Sequence, residues 1–108
     1  MDPADYEVAF KIISVAGNAK SCAMMAIRES REGNLEEAQK LLAEADTDLH
    51  SAHDYQTKML SQEARGNAVP LNIILIHAQD HLTGAMLVRD LADEFIELNT
   101  RLASVGQH

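Results

Sequence analysis

The chain has 108 residues, 46% of them hydrophobic and 4% aromatic, with 17 acidic against 9 basic side chains and a net charge of −8 at neutral pH. That apolar share excludes a disordered chain, and the length suits a single domain over residues 1–108, small enough for partner chains to supply part of its burial. The acidic balance argues against a nucleic-acid or anionic-membrane surface and suits a basic protein partner. Scarce aromatics, no Trp and abundant Ala, Leu, Glu and Met favour helix over sheet. One cysteine, Cys22, permits no internal disulfide and points to a reducing compartment. The acidic N-terminus lacks a signal core, and no run approaches about 18 apolar residues, so the expectation is a cytoplasmic protein without a transmembrane helix.

In chain order, Asp2-Pro3-Ala4-Asp5 reads as a helix start: Asp2 caps, Pro3 suits the first helical position, and Asp5 complements the dipole. Val8, Ile12, Val15, Ala19, Cys22, Ala23, Ala26 and Ile27 then keep helical spacing, predicting a first helix over 3–32. Gly17 interrupts this pattern and suggests a close helix crossing. Gly33 ends the helix, and Asn34-Leu-Glu-Glu37 resembles a capping box opening a second helix over 35–64. Glu63-Ala-Arg-Gly66-Asn67 closes that helix. Pro70 opens a third, over 70–103, before a frayed Gly106-Gln107-His108 tail. Three helices of about 30 residues joined by two tight turns must run up–down–up, giving an all-α antiparallel three-helix bundle.

The third helix is apolar most of the way round, from Leu71, Ile73, Ile74, Leu75 and Ile76 to Phe95, Ile96, Leu98 and Leu102. Two partner helices cover one side of it, so the other side is expected to form a subunit interface at the centre of a homo-oligomer. Within it, His77, Asp80 and His81 stand at i, i+3 and i+4, on one face. This spacing leaves three readings open for His77: an imidazole merely hydrogen-bonded in the interface, a metal ligand with Asp80 and His81, or a nucleophile, since a neutral imidazole accepts phosphate and gives it up readily. The metal reading lacks the Glu of the zinc-protease motif and an obvious fourth ligand. Near an oligomer axis, symmetry would gather copies of Asp80, whose like charges would either raise their pKa values or recruit a divalent cation. Gln79 lies about 160° from His77 around the helix, where it could face a neighbouring subunit's site. Cys22 reads as a small core residue with nothing near it to activate the thiol. Met24, Met25, Met59 and Met86 read as core filler. His53, Gln56 and Thr57 share a face of the second helix, where they could satisfy one another or brace the third; His50 receives no role.

The segments Leu75-Ile-His77-Ala-Gln-Asp80-His81-Leu82 and Ala52-His53-Asp-Tyr-Gln56-Thr57-Lys-Met-Leu60 closely resemble the enzyme IIA component of the lactose/cellobiose (diacetylchitobiose) class of the phosphoenolpyruvate-dependent sugar phosphotransferase system. The likeness extends through the Gly17-Asn-Ala-Lys segment, the turn at Gly33 and the stretch from Leu91 to Leu98. It implies a phosphotransferase component built as a homotrimeric nine-helix bundle. It further implies that His77 takes phosphate from HPr and passes it to the cysteine of a cognate IIB component, for uptake of a β-linked disaccharide. The IIC membrane component would be reached only indirectly. Asp80 copies would converge on the threefold axis around a divalent cation, magnesium being the expected ion, and Gln79 and His81 would frame the phosphate. Thr83-Gly84 stands where this family commonly has Met-Thr or Met-Asn, and Gly84 is expected to loosen the helix locally. The rival from another class is a helical metal-binding module using His77, Asp80 and His81; a third is a purely structural helical oligomer.

Overall fold

The computed structural model describes residues 3–69 and 71–106. They form α1 (Pro3–Arg31), α2 (Leu35–Ala64) and α3 (Ile73–Val105), with no strand among the described residues. Asp2 as a cap, Pro70 as a helix opener and the end of the tail at Gln107 and His108 lie outside the described residues. The helices stack up–down–up into a bundle 61 Å long and 22 by 20 Å across. Its direction is legible in the side-chain links: Asp46 of α2 meets Arg89 of α3 while Gln56 meets Gln79, so those two run antiparallel. Ser30 near the end of α1 meets Asn99 near the end of α3.

Alanine makes the seam. Ala9, Ala16 and Ala23 on α1, Ala38, Ala45 and Ala52 on α2, and Ala78, Ala85 and Ala92 on α3 each recur every seventh residue, and all are buried. A sustained seven-residue repeat keeps one seam facing its partners, and side chains this small let helix axes approach at the short end of the usual 8–10 Å. Bulk fills the two ends. Ile12 and Leu82 are wholly enclosed with Leu75 near the start of α3, and Leu41, Leu42 and Ile96 occupy the far end, with Ala19, Cys22 and Ala45 between. Fully burying a residue such as Leu82 contributes about 1.5–3 kcal/mol.

Both helix stops expected at glycine are Schellman motifs. Gly33 takes φ +83° while Asn34 N–H donates to the Glu29 carbonyl and Gly33 N–H to that of Ser30; Gly66, at φ +87°, repeats this with Asn67 to Gln62 and Gly66 to Glu63. That geometry explains why the capping box at Asn34 does not form. The Asn34 N–H that Glu37 would have accepted is already spent on Glu29, and the Asn34 side chain donates to the Glu29 carboxylate at 2.8 Å instead of capping α2.

Four further expectations are corrected. The second connection is no tight turn: residues 65–72 intervene, Val69 N–H donates to the Glu63 carboxylate, and α3 begins at Ile73, not 70, where the Asn72 side chain accepts from Leu75 N–H at 2.9 Å. Gly17 marks no close crossing, since a Cβ placed there would meet nothing within 4 Å. Met24, Met25 and Met86 are exposed, leaving only Met59 packed against the core. Gly84, expected to loosen α3, lies within an unbroken helix.

Candidate active site

α3 presents two opposite faces. Leu75, Ala78, Leu82, Ala85, Ala92 and Ile96 point into the bundle, whereas Ile73, Ile76, Leu87, Leu91, Leu98, Leu102 and Val105 are exposed. At 100° per residue the exposed set forms one stripe whose centre lies roughly 160° from the core direction. Ile73 is 80% exposed and Leu87 59%, which is far from the ordinary scatter of single surface apolar residues. Asp80 and Gly84 fall on this stripe, so the line that the chain's own helices leave uncovered carries one carboxylate among its aliphatic side chains.

His77 sits on the flank of the stripe, roughly 50° from its centre. The ring is exposed, and its Nε2 lies 3.0 Å from Nε2 of the half-buried His81, the two rings meeting edge to face with centroids 4.3 Å apart. One of the two nitrogens carries the proton of this bond and the other offers its lone pair. Spacing had placed both imidazoles on one face; the structure adds that they bond directly. Asp80 is exposed and shares no hydrogen bond or ion pair with either ring. Among the described residues no three His, Cys, Asp or Glu side chains gather as a metal-binding group within one chain, so the metal-module reading gains no support from the bundle alone.

Gln79 lies on the other flank of the stripe, facing α2, where its Oε1 accepts a hydrogen bond of 2.6 Å from Gln56 Nε2. This pairing of two helices could not be read from spacing along either one. It bears out Gln56 as a brace for α3, whereas His53 and Thr57 are exposed. His53 and His50 instead line a groove of about 410 Å³ between α2 and α3. Within that groove Arg89 ties the helices together, its guanidinium donating to Asp46 at 2.5 and 3.0 Å and to Asp93 at 2.9 Å. The bonds to Asp46 push the Arg89 pKa up, partial burial opposes them, and Asp93 adds to the rise. Burial likewise pushes the Cys22 thiol up, helped by Glu44 and Asp48, so the expected inert core thiol is what the fold holds.

Residues 7–100 match the family described as the lactose/cellobiose-specific IIA subunit of the PTS system. The chain belongs to this family. This IIA chain is 43% identical over 96 residues to the lichenan-specific phosphotransferase enzyme IIA component of Bacillus subtilis, covering 89% of the one and 87% of the other. Its fold superposes on the crystal structure of the PTS cellobiose-specific enzyme IIA from Bacillus anthracis with a TM-score of 0.92 and 38% identity, over 96% of this chain and 95% of that one. The solution structure of the IIA(chitobiose)–HPr complex from the Escherichia coli phosphotransferase system matches with a TM-score of 0.78 and 33% identity, over 90% and 94% of the two chains. The IIA chain is thus a phosphotransferase component, and none of its described helices is long and apolar enough to cross a membrane.

Proposed function

We propose that this IIA chain is a cytoplasmic phosphocarrier that takes a phosphoryl group from phospho-HPr onto His77 and hands it to the cysteine of a cognate IIB component, serving uptake of a β-linked disaccharide. The observation that carries this reading is the exposed His77 imidazole with His81 Nε2 held 3.0 Å from its own Nε2. With the shared proton on His81, the His77 lone pair attacks phosphorus as the bond to the HPr donor breaks. His81 N–H, freed from that lone pair, then donates to a phosphoryl oxygen. In the second transfer the P–N bond breaks as a P–S bond forms on the partner. A transferring phosphoryl group needs orientation and charge stabilisation more than covalent help, which is what a second imidazole at this distance supplies. The solved HPr complex of a relative supports HPr as the donor.

The same reading makes the molecule a homotrimer with three α3 helices at its centre. The continuous apolar stripe opposite the core supports it, because a helix apolar on two opposite faces has to bury both. Asp80, lying on the stripe, would then meet its two symmetry copies. An all-oxygen donor set of this kind fits a hard divalent cation such as magnesium, which would offset the carboxylates' mutual repulsion. In such a trimer Gln79 of one subunit and His77 of the next lie on opposing flanks of the stripe, so the glutamine would frame a neighbour's phosphate.

The test is intact-mass measurement after mixing the chain with phosphoenolpyruvate, enzyme I and HPr. An acid-labile gain of one phosphoryl group per chain, absent in His77→Ala, is the expected result. No gain, with zinc retained stoichiometrically, would instead support the metal-binding module.

A further inference from the structure

Gln56 and Gln79 bond across a groove otherwise lined mainly by apolar side chains, Met59, Leu60, Val69, Leu75 and Ile76, together with Glu63, whose carboxylate accepts from Val69 N–H. The direction of that link has a chemical consequence. Gln56 donates and the Gln79 carbonyl oxygen accepts, so what Gln79 has left to offer is its NH2 group, two donors and no acceptor lone pair. Were the amide turned over, the same side chain would offer a carbonyl oxygen to whatever it faces. A phosphoryl group is anionic and has only acceptor oxygens on its periphery. The two orientations are therefore attractive and repulsive, respectively.

We propose that Gln56 is a positioning residue for phosphoryl transfer: by donating to Gln79 Oε1 it fixes that amide with its N–H donors directed to the phosphoryl group on the neighbouring subunit's His77. This rests on the trimeric phosphocarrier reading above. The placement follows from the helix: measured from the centre of the exposed stripe, His77 lies roughly 50° to one side and Gln79 roughly 110° to the other. In a closed ring each subunit sets one flank against the opposite flank of the next. The link from α2 is the one that reaches the end of the Gln79 side chain, Gln56 Nε2 donating to Gln79 Oε1, whereas Thr83 Oγ1 donates to the Gln79 backbone carbonyl.

Gln56→Glu separates polarity from bracing. The new carboxylate accepts only, so it holds Gln79 by its NH2 and turns the carbonyl outward. Gln56→Met removes the bond and leaves the amide free to turn. In the assembled protein charged from phosphoenolpyruvate through enzyme I and HPr, Gln56→Glu should shorten the lifetime of the phosphohistidine and lower kcat for transfer by about tenfold, the worth of one hydrogen bond to a charged group. Gln56→Met should cost less, and KM for HPr should stay unchanged in both. In a Gln79→Ala background either change at position 56 should lose its effect, as a coupled pair requires. A loss that persists undiminished without Gln79, or a Gln56→Glu protein that matches wild type, overturns the assignment while leaving the carrier intact. A wild-type chain that accepts no phosphoryl group overturns both together.

Discussion

In the proposed transfer one ring of the bonded His77–His81 pair attacks while the other keeps the proton, so the identity of the second ring's donor matters more than its shape. Gln at position 81 can still present an N–H at the end of a side chain of similar reach; Phe keeps the ring and loses the donor. His81→Phe should therefore shorten the phosphohistidine lifetime by about tenfold, with His81→Gln closer to wild type, read from the decay of phosphorylated protein by mass spectrometry. Arg89 belongs to the same scale but to stability. Its side chain is only 16% exposed and satisfies two carboxylates, so Arg89→Met should lower stability by about 1–2 kcal/mol in a thermal melt, less than for a fully buried pair because Asp46 and Asp93 remain open to water. Cys22 gives a pH signature of known sign. Its folded pKa is raised, so its contribution is complete below the unfolded thiol's ordinary value of 9.0 and is lost as pH rises through the folded one. Cys22→Ala should flatten the alkaline edge of the stability profile, and the native thiol should resist alkylation until the chain unfolds.

At the scale of the helix, glycine and asparagine do different work at positions that look alike in sequence. Asn72 caps α3 and Asn34 does not cap α2, so Asn72→Ala should cost about 1 kcal/mol and Asn34→Ala less, by chemical denaturation. Gly17→Ala should stabilise by about 0.5–1 kcal/mol, since the added methyl enters open space within a helix. A drop in stability there would restore the close crossing that the sequence suggested. The limits of α1 and α2 were legible because glycine followed by a polar residue has few ways to end a helix; α3 was placed three residues early because Pro70 is a louder signal than the cap at Asn72. Most of the alanine seam was legible in the sequence, since Ala23, Ala38, Ala45, Ala52, Ala78, Ala85 and Ala92 fall at apolar helical positions and are all buried; what spacing along one helix leaves open is that these positions meet in a common seam. The Gln56–Gln79 bond was beyond reach for the same reason. Nothing along a single helix says which residue of another will stand opposite it.

The whole molecule turns on what covers the outer stripe of α3. An excess of apolar residues round the third helix was visible in composition, and the structure separates it into a face packed on α1 and α2 and a second face from Ile73 to Val105 that the chain's own helices leave uncovered. If that face is the trimer seam, Leu91→Glu should yield monomers by light scattering. Asp80→Leu should keep the trimer and abolish its dependence on divalent cations, and dissociation on this substitution would remove Asp80 from the axis. In that trimer His77 would stand at the rim of the seam, with its ring open to a carrier protein. Native mass spectrometry after charging from phosphoenolpyruvate, enzyme I and HPr tests both halves of this claim in one spectrum. A trimer bearing three phosphoryl groups, each mapped to His77, is the predicted species; an intact trimer that stays unphosphorylated, or that carries phosphate on another residue, would contradict it.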